Sequence, residues 1–204
     1  PQLIGWAANM ACDYVLEHFT TPYELDAVVE AARKAHTRKT EGAADVGKLA
    51  HAWVEKYING EEPPREEALA PMTDNFVKWA QDNSVEFLRA EMAVYSRKRW
   101  YAGTLDFLCR IGEKHYLGDF KTSSGIYDEF FFQTSAYQLA LQEMDPLAPV
   151  HGHIIVNCKK DGGFDVKESR DYKKNIKAFL GALAIYRRKG ELNKENKPKK
   201  YVRR

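Results

Sequence analysis

Hydrophobic and polar residues recur with two different periods along this chain. Up to residue 83 the apolar positions have helical spacing, which predicts four helices, at 2–19, 23–39, 43–58 and 66–83. From Ser84 the period changes to two, which is typical of strands. Three strands are expected there: residues 85–95, a second strand that carries Asp106, and residues 115–122.

The remaining pattern predicts a helix at 128–144, a strand at 151–157, an edge strand at 164–167 and a closing helix at 170–188. This order predicts an α/β fold in which helices flank a central mixed β-sheet and an N-terminal helical region precedes it. We expect one domain over residues 1–204, with the helical region at 1–83, the sheet-containing core at 84–189 and a tail at 190–204.

Composition fits a globular domain. The chain has 204 residues, of which 44% are hydrophobic, enough for a sizeable core. Its three cysteines, Cys12, Cys109 and Cys158, are odd in number and widely spaced, so we expect buried thiols rather than disulfides or a zinc site. No apolar run approaches the ~20 residues of a membrane span, which favours a cytoplasmic protein without a membrane partner.

The net charge of +2 hides an uneven distribution. From Arg187 to Arg204 there are nine basic and two acidic residues, so this end carries +7 and the remainder −5. Such a tail would attract a polyanion, although basic tails are also common as solvated ends. Both interpretations remain open from sequence.

Three charged residues fall close together in two neighbouring predicted strands. Asp119 and Lys121 project from one face of their strand, and the turn at 111–114 can bring Asp106 beside them. Crowded carboxylates raise each other's pKa unless a cation lies between them, and oxygen ligands of this kind suit Mg²⁺ or Mn²⁺. The pattern is typical of phosphodiester hydrolysis.

Two helices add candidate residues. The helix 43–58 places His51 one turn from Glu55, either as an ordinary surface pair or with His51 as a metal ligand that Glu55 orients. The helix 128–144 places Gln133 one turn from Tyr137, so both can point toward the carboxylates or serve as an ordinary amide and a core tyrosine. At least one ring of Phe130–Phe132 must be exposed or cover a groove.

Short motifs fall in the order and spacing of one enzyme family: Gly103–Asp106, Asp119–Lys121 and Gln133–Tyr137. Over roughly residues 42–158 the chain resembles PD-(D/E)XK nucleases of the RecB-like exonuclease branch. Upstream, Gly47–His51 resembles the glycine-to-histidine motif of that branch, although Lys48 stands where threonine is common. Leu105 replaces the proline of the superfamily's name, a change that this branch tolerates.

The resemblance implies a restriction-endonuclease-like core roofed by the N-terminal helices, and it assigns roles. The expected ligands of Mg²⁺ or Mn²⁺ are His51, Asp106, Asp119 and the Phe120 carbonyl, with Glu91 at the position of a further acid. Lys121 would orient or deprotonate the attacking water and offset phosphate charge. Gln133 and Tyr137 would position Lys121 or the scissile strand. No iron–sulfur cluster is expected, since the cysteines it needs are missing.

The function expected from this resemblance is a metal-dependent exonuclease that acts on DNA with a single-stranded end, inside a bacterial or phage-infected cell. Phage or mobile-element recombination or repair is the process that the branch suggests. One alternative is a DNA-binding subunit of the same fold with weak catalysis. A second alternative is an endonuclease, which would need a recognition element.

Overall fold

The computed structural model describes residues 14, 17–18, 28–29, 31–32 and 35–195, with side chains at 45–193 in the last range. The described residues before 35 are helical. The rest of the first two predicted helices, Cys12 and the basic tail from residue 196 lie outside the described residues. The chain divides into two compact units, residues 1–50 and 51–204.

From residue 35 the described part of the chain forms four helices and five strands, which confirms the expected α/β fold with helices at the N-terminal side. In chain order these elements are α1 (Ala35–Ile58), α2 (Ala70–Asp82), β1 (Glu86–Ser96), β2 (Tyr101–Ile111), β3 (Lys114–Lys121), α3 (Asp128–Met144), β4 (Gly152–Cys158), β5 (Phe164–Ser169) and α4 (Tyr172–Glu195).

Helix α2 begins later than the apolar pattern predicts, at Ala70 instead of residue 66. Pro71 explains the difference, because a proline fits the first turn of a helix but clashes with the preceding carbonyls further inside one. The last helix also differs, since α4 continues to Glu195 beyond the predicted end at residue 188.

The sheet is mixed and has the order β1-β2-β3-β4-β5. Neighbouring strands are antiparallel except β3 and β4, which pair in parallel. Parallel strands need a crossover connection, and α3 provides it. The predicted mixed sheet is therefore confirmed, with β1 and β5 at its edges.

Each face of the sheet carries its own apolar core. Helix α3 packs on one face, where the buried residues are Val94, Leu105, Leu117, Ala140 and Leu141. An aromatic cluster covers the other face, where the ring of Phe76 from α2 contacts Phe87, Phe107 and Phe120. The charged residues of β2 and β3 therefore lie in strands that are packed on both sides, which fixes their backbone.

Cys109 and Cys158 are buried free thiols, as expected. Burial raises the pKa of both thiols to about 12. In the described part of the chain, no helix combines the length and apolarity needed to cross a bilayer.

Candidate metal-binding and catalytic site

Strand β2 changes face at the position of Asp106. Leu105 and Leu108 pack in the same core beneath α3, although residues three apart on a regular strand point to opposite faces. The pairing of β2 with β3 begins only at Phe107, opposite Gly118. On β1, Glu91 has φ +43°, a left-handed conformation that is rare for glutamate. Irregularities of this kind often redirect a side chain beside a functional site.

The side chains of Glu91 and Asp106 lie close to His51, which belongs to α1. One ligand-type atom each from His51, Glu91 and Asp106 lies within 4.8 Å of the other two. The closest pair is His51 Nδ1 and Asp106 Oδ2, at 3.4 Å. The Phe120 backbone N–H also donates to Asp106 Oδ2, at 2.8 Å, and the Phe120 ring meets the imidazole edge-on. The structure thus brings together three residues that lie far apart in the sequence, between positions 51 and 106.

Asp119 and Lys121 lie beside this group as an ion pair. The Asp119 side chain is only 1% exposed, and its Oδ2 lies 2.7 Å from Lys121 Nζ. The second oxygen, Oδ1, is buried and has no hydrogen-bond partner among the described residues. A buried carboxylate oxygen without a partner is costly, so this atom is suited to a cation or a water molecule.

The electrostatics of the site follow from its burial. Burial raises the pKa of Asp119 well above its usual range, and the nearby Asp106 carboxylate raises it further. Burial likewise raises the pKa of Asp106. Burial also raises the pKa of Glu91, and the negative charges of Glu55 and then Asp119 raise it further. The pKa of His51 is lowered by burial and by Lys121, so its imidazole is neutral at pH 7.

These properties match what a Mg²⁺ or Mn²⁺ ion requires. The group offers carboxylate oxygens and a neutral imidazole, which such ions accept as ligands. Burial makes the ionised form of the Asp106 carboxyl unfavourable, and an unpartnered oxygen of Asp119 lies beside it. A bound cation would relieve both deficits, because it favours the ionised carboxylates. The residues present therefore fit the ion that the sequence motifs imply.

Helix α3 supplies the other predicted residues. Gln133 Nε2 donates a hydrogen bond to the Tyr137 hydroxyl at 2.7 Å. At the start of the same helix, the ring of Phe130 lies under Lys121 Nζ, which is 5.1 Å from the ring centroid. Phe131 is buried, whereas Phe130 and Phe132 are both partly exposed, so the three adjacent rings do not all enter the core. The contact of Phe130 with Lys121 was not predicted.

Asn157 is a site-supporting residue that the sequence analysis missed. It lies fully buried at the end of β4, opposite Lys121. Its side chain accepts a hydrogen bond from Ser123 N and donates one to Ser123 O, both at 3.0 Å. These bonds fix the loop that follows Lys121. The available signal was a polar residue at the carboxyl end of an otherwise apolar strand.

Comparison of the chain with protein-family models and with curated proteins finds no match.

Proposed function

We propose that this protein is a metal-dependent deoxyribonuclease of the PD-(D/E)XK type, acting as an exonuclease on DNA ends. The observation that carries the proposal is the group of His51, Glu91 and Asp106 beside the buried pair of Asp119 and Lys121. Hydrolysis of an anionic phosphodiester needs positive charge beside the phosphate, which a metal ion at this group and the adjoining Lys121 ammonium would both supply. The motif order in the sequence supports the same reaction class.

A Mg²⁺ or Mn²⁺ ion bound there would supply a Lewis acid for water activation and for the charge that develops on phosphate. His51, Glu91 and Asp106 are the residues that would hold it, with the free oxygen of Asp119 close by. The Phe120 N–H keeps Asp106 oriented whether or not the ion is bound.

Lys121 is placed to act on the phosphate side of the reaction. Its ammonium is fixed by Asp119 on one side and by the Phe130 ring on the other. A fixed cation can orient the attacking water and offset negative charge as water adds to phosphorus and the ester oxygen departs. Asp119 holds this ammonium through Oδ2, while its Oδ1 would stay available to the cation.

The test uses end-labelled linear DNA with Mn²⁺, Mg²⁺ or EDTA. We expect metal-dependent cleavage by the wild type and a loss of about 100-fold or more in Asp106→Asn, the scale of a lost catalytic electrostatic group. Asp74→Asn is the matched control, since Asp74 is an exposed carboxylate that pairs only with Arg65 in the described structure. The control should cleave like the wild type.

Two outcomes would reject the enzyme proposal. One is cleavage that persists undiminished in Asp106→Asn, which would indicate a contaminating nuclease. The other is wild-type protein that binds DNA without cutting it in either metal, which would favour the DNA-binding alternative.

A further inference from the structure

The turn between β1 and β2 places one aromatic ring among basic side chains. Its residues are Arg97, Lys98, Arg99 and Trp100. The Trp100 side chain is 84% exposed, an unusual position for the largest apolar ring. An exposed aromatic ring among basic side chains is the combination that binds single-stranded nucleic acid, so this turn is a candidate binding element.

The turn is held from two sides. Ser96 Oγ donates to Glu143 Oε1 at 2.9 Å and accepts from Arg99 N at 3.0 Å. From α4, Arg187 donates to the carbonyl oxygens of Arg99 and Trp100, the latter at 3.1 Å. The backbone beneath Trp100 is therefore fixed. Its ring is presented to solvent by a defined structure, which reduces the ordering cost of binding.

A concave surface adjoins the Trp100 ring. It has a volume of about 330 Å³ and is lined by Tyr95, Ser96, Arg97, Trp100, Tyr101 and Ala102. Inside it the Arg97 guanidinium lies 5.6 Å from the centroid of the Tyr95 ring. A flat ring beside a guanidinium is a suitable surface for a nucleobase and its phosphate.

Exposed side chains on one face of the hairpin lie between this surface and the group of His51, Glu91 and Asp106. On β2, Ala102 and Thr104 share a face with Asp106, since the residues between them face α3. Their β1 partners, Tyr95 and Ala93, are exposed on the same face. Asp106 is four positions after Ala102 along the strand, a distance of about 13 Å. The hairpin thus offers an open track from Trp100 to Asp106.

We propose that this face of the β1–β2 hairpin binds a single-stranded segment of DNA and leads it to the carboxylates. Trp100 stacks on an unpaired base, while Arg97, Lys98 and Arg99 contact phosphates. The occupant is single-stranded because a base in a duplex has both faces stacked already and is unavailable to the ring. The inference rests on the proposed function, which supplies the reaction at the end of the track.

Binding is measured in EDTA, so that cleavage does not interfere, with a labelled oligothymidylate of roughly eight nucleotides. Trp100→Ala should weaken binding about 10-fold, the lower range of one base–aromatic stack, and Trp100→Phe should keep most of the affinity. Replacing Arg97, Lys98 and Arg99 together by glutamine should reduce the salt dependence by about two units, as three lost single-strand phosphate contacts predict.

Leu147→Ala is the control, because Leu147 is an equally exposed apolar side chain, at 89%, outside the turn. It should bind the oligonucleotide like the wild type. Trp100→Ala that binds as tightly as the wild type, with unchanged melting temperature, would overturn the inference.

Cleavage by the wild type in Mn²⁺ separates this proposal from the one before it. If the wild type cleaves DNA while Trp100→Ala binds normally, only the hairpin inference is wrong. If Trp100→Ala loses binding but no protein cleaves in either metal, the hairpin binds single-stranded DNA as inferred, and the nuclease proposal is wrong.

Discussion

Gly103 on β2 and Tyr137 on α3 pack so closely that a β-carbon on the glycine would overlap the tyrosine ring. The Tyr137 hydroxyl in turn accepts a hydrogen bond from Gln133. Burial raises the pKa of Tyr137, so the phenol keeps its proton. This contact joins the strand that carries Asp106 to the helix that begins beside Lys121. The motifs Gly103–Asp106 and Gln133–Tyr137 are therefore in direct van der Waals contact, in addition to lying near the same carboxylates.

Gly103→Ala should therefore displace the Tyr137 ring and disturb Asp106 three residues away. Overpacking of this kind typically costs about 1–3 kcal/mol in the free energy of unfolding. Gly181→Ala is the matched control, since nothing lies within 4 Å of that position and alanine favours a helix interior by roughly 0.5–1 kcal/mol. Chemical denaturation should thus give opposite signs for the two variants. Equal stability of the Gly103 variant and the wild type would contradict the close approach.

Lys121→Ala should reduce turnover by roughly 100-fold while metal affinity stays close to wild type. The reason is that the ammonium contacts Asp119 and Phe130 and is a charge partner rather than a metal ligand. Lys167→Ala is a suitable comparison, because Lys167 also lies over a phenylalanine of α3, with Nζ 5.5 Å from the Phe131 centroid, but it is more exposed. Single-turnover rates and Mn²⁺ titrations measure the two effects separately. Turnover within a few-fold of wild type would remove Lys121 from the mechanism.

Mn²⁺ should raise the melting temperature of the wild type. A ligand present at 100 times its Kd stabilises a fold by about 2.7 kcal/mol, which corresponds to roughly 5–10 °C in a chain of this size. Asp106→Asn should lose this gain, and Asp74→Asn should keep it. If neither Mn²⁺ nor Mg²⁺ changes the melting temperature of the wild type, the proposed site is ruled out.

Without metal, Asp106→Asn should melt higher than the metal-free wild type at pH 7. Burial raises the pKa of Asp106, so the ionised carboxylate is unfavourable in the folded state, and asparagine removes that charge. Asparagine can still accept the hydrogen bond from Phe120 N. Thermal melts in EDTA check this prediction, and a lower melting temperature would show that Asp106 stabilises the fold by itself.

Much of the fold was predictable because local patterns and tertiary structure agree. The helix predicted at 128–144 has those bounds in the structure, since its acidic first turn and the proline that follows it, Pro146, favour the same segment. The turn at Gly112, with φ +58°, likewise matches the expected hairpin. Where such local signals agree with the tertiary packing, the sequence is sufficient to predict the bounds of the element.

The geometry of the site was only partly predictable. Alternation along β2 cannot predict that the strand changes face at Asp106, because the change accompanies the left-handed backbone of Glu91 on β1 and the start of pairing with β3 at Phe107. The sequence also gave no reason to separate Asp119, whose Oδ2 contacts Lys121, from the group of His51, Glu91 and Asp106. Both features arise from long-range packing, which residue spacing does not encode.

His153 predicts a pH dependence of stability that is independent of the group of His51, Glu91 and Asp106. It is buried, and its neighbours are the side chains of Gln138, Ser135 and Tyr172. Burial lowers the pKa of His153 to about 4, from 6.5 in the unfolded chain. Between these values the unfolded chain binds more protons, so stability falls as the pH falls from 6.5 to 4. The full effect is roughly 3 kcal/mol.

The difference between wild type and His153→Gln isolates this effect, because the other titrating groups are common to both proteins and cancel. We expect the variant to lose less stability than the wild type between pH 6.5 and 4 in urea unfolding. Parallel curves over that range would show that His153 is charged, or exposed to water, in the folded protein.

The proposed single-strand track leads to a final prediction about DNA ends. If Trp100 stacks on an unpaired base, linear DNA with a single-stranded end should be degraded in Mn²⁺ while a covalently closed duplex circle survives. A single-stranded circle separates the need for an end from the need for unpaired bases, because it offers only the latter. An exonuclease leaves that circle intact, whereas a single-strand endonuclease cuts it. Cleavage of both circles at the rate of linear DNA would contradict the exonuclease assignment, and because the chemistry would still need Asp106, the proposed metal site would stand.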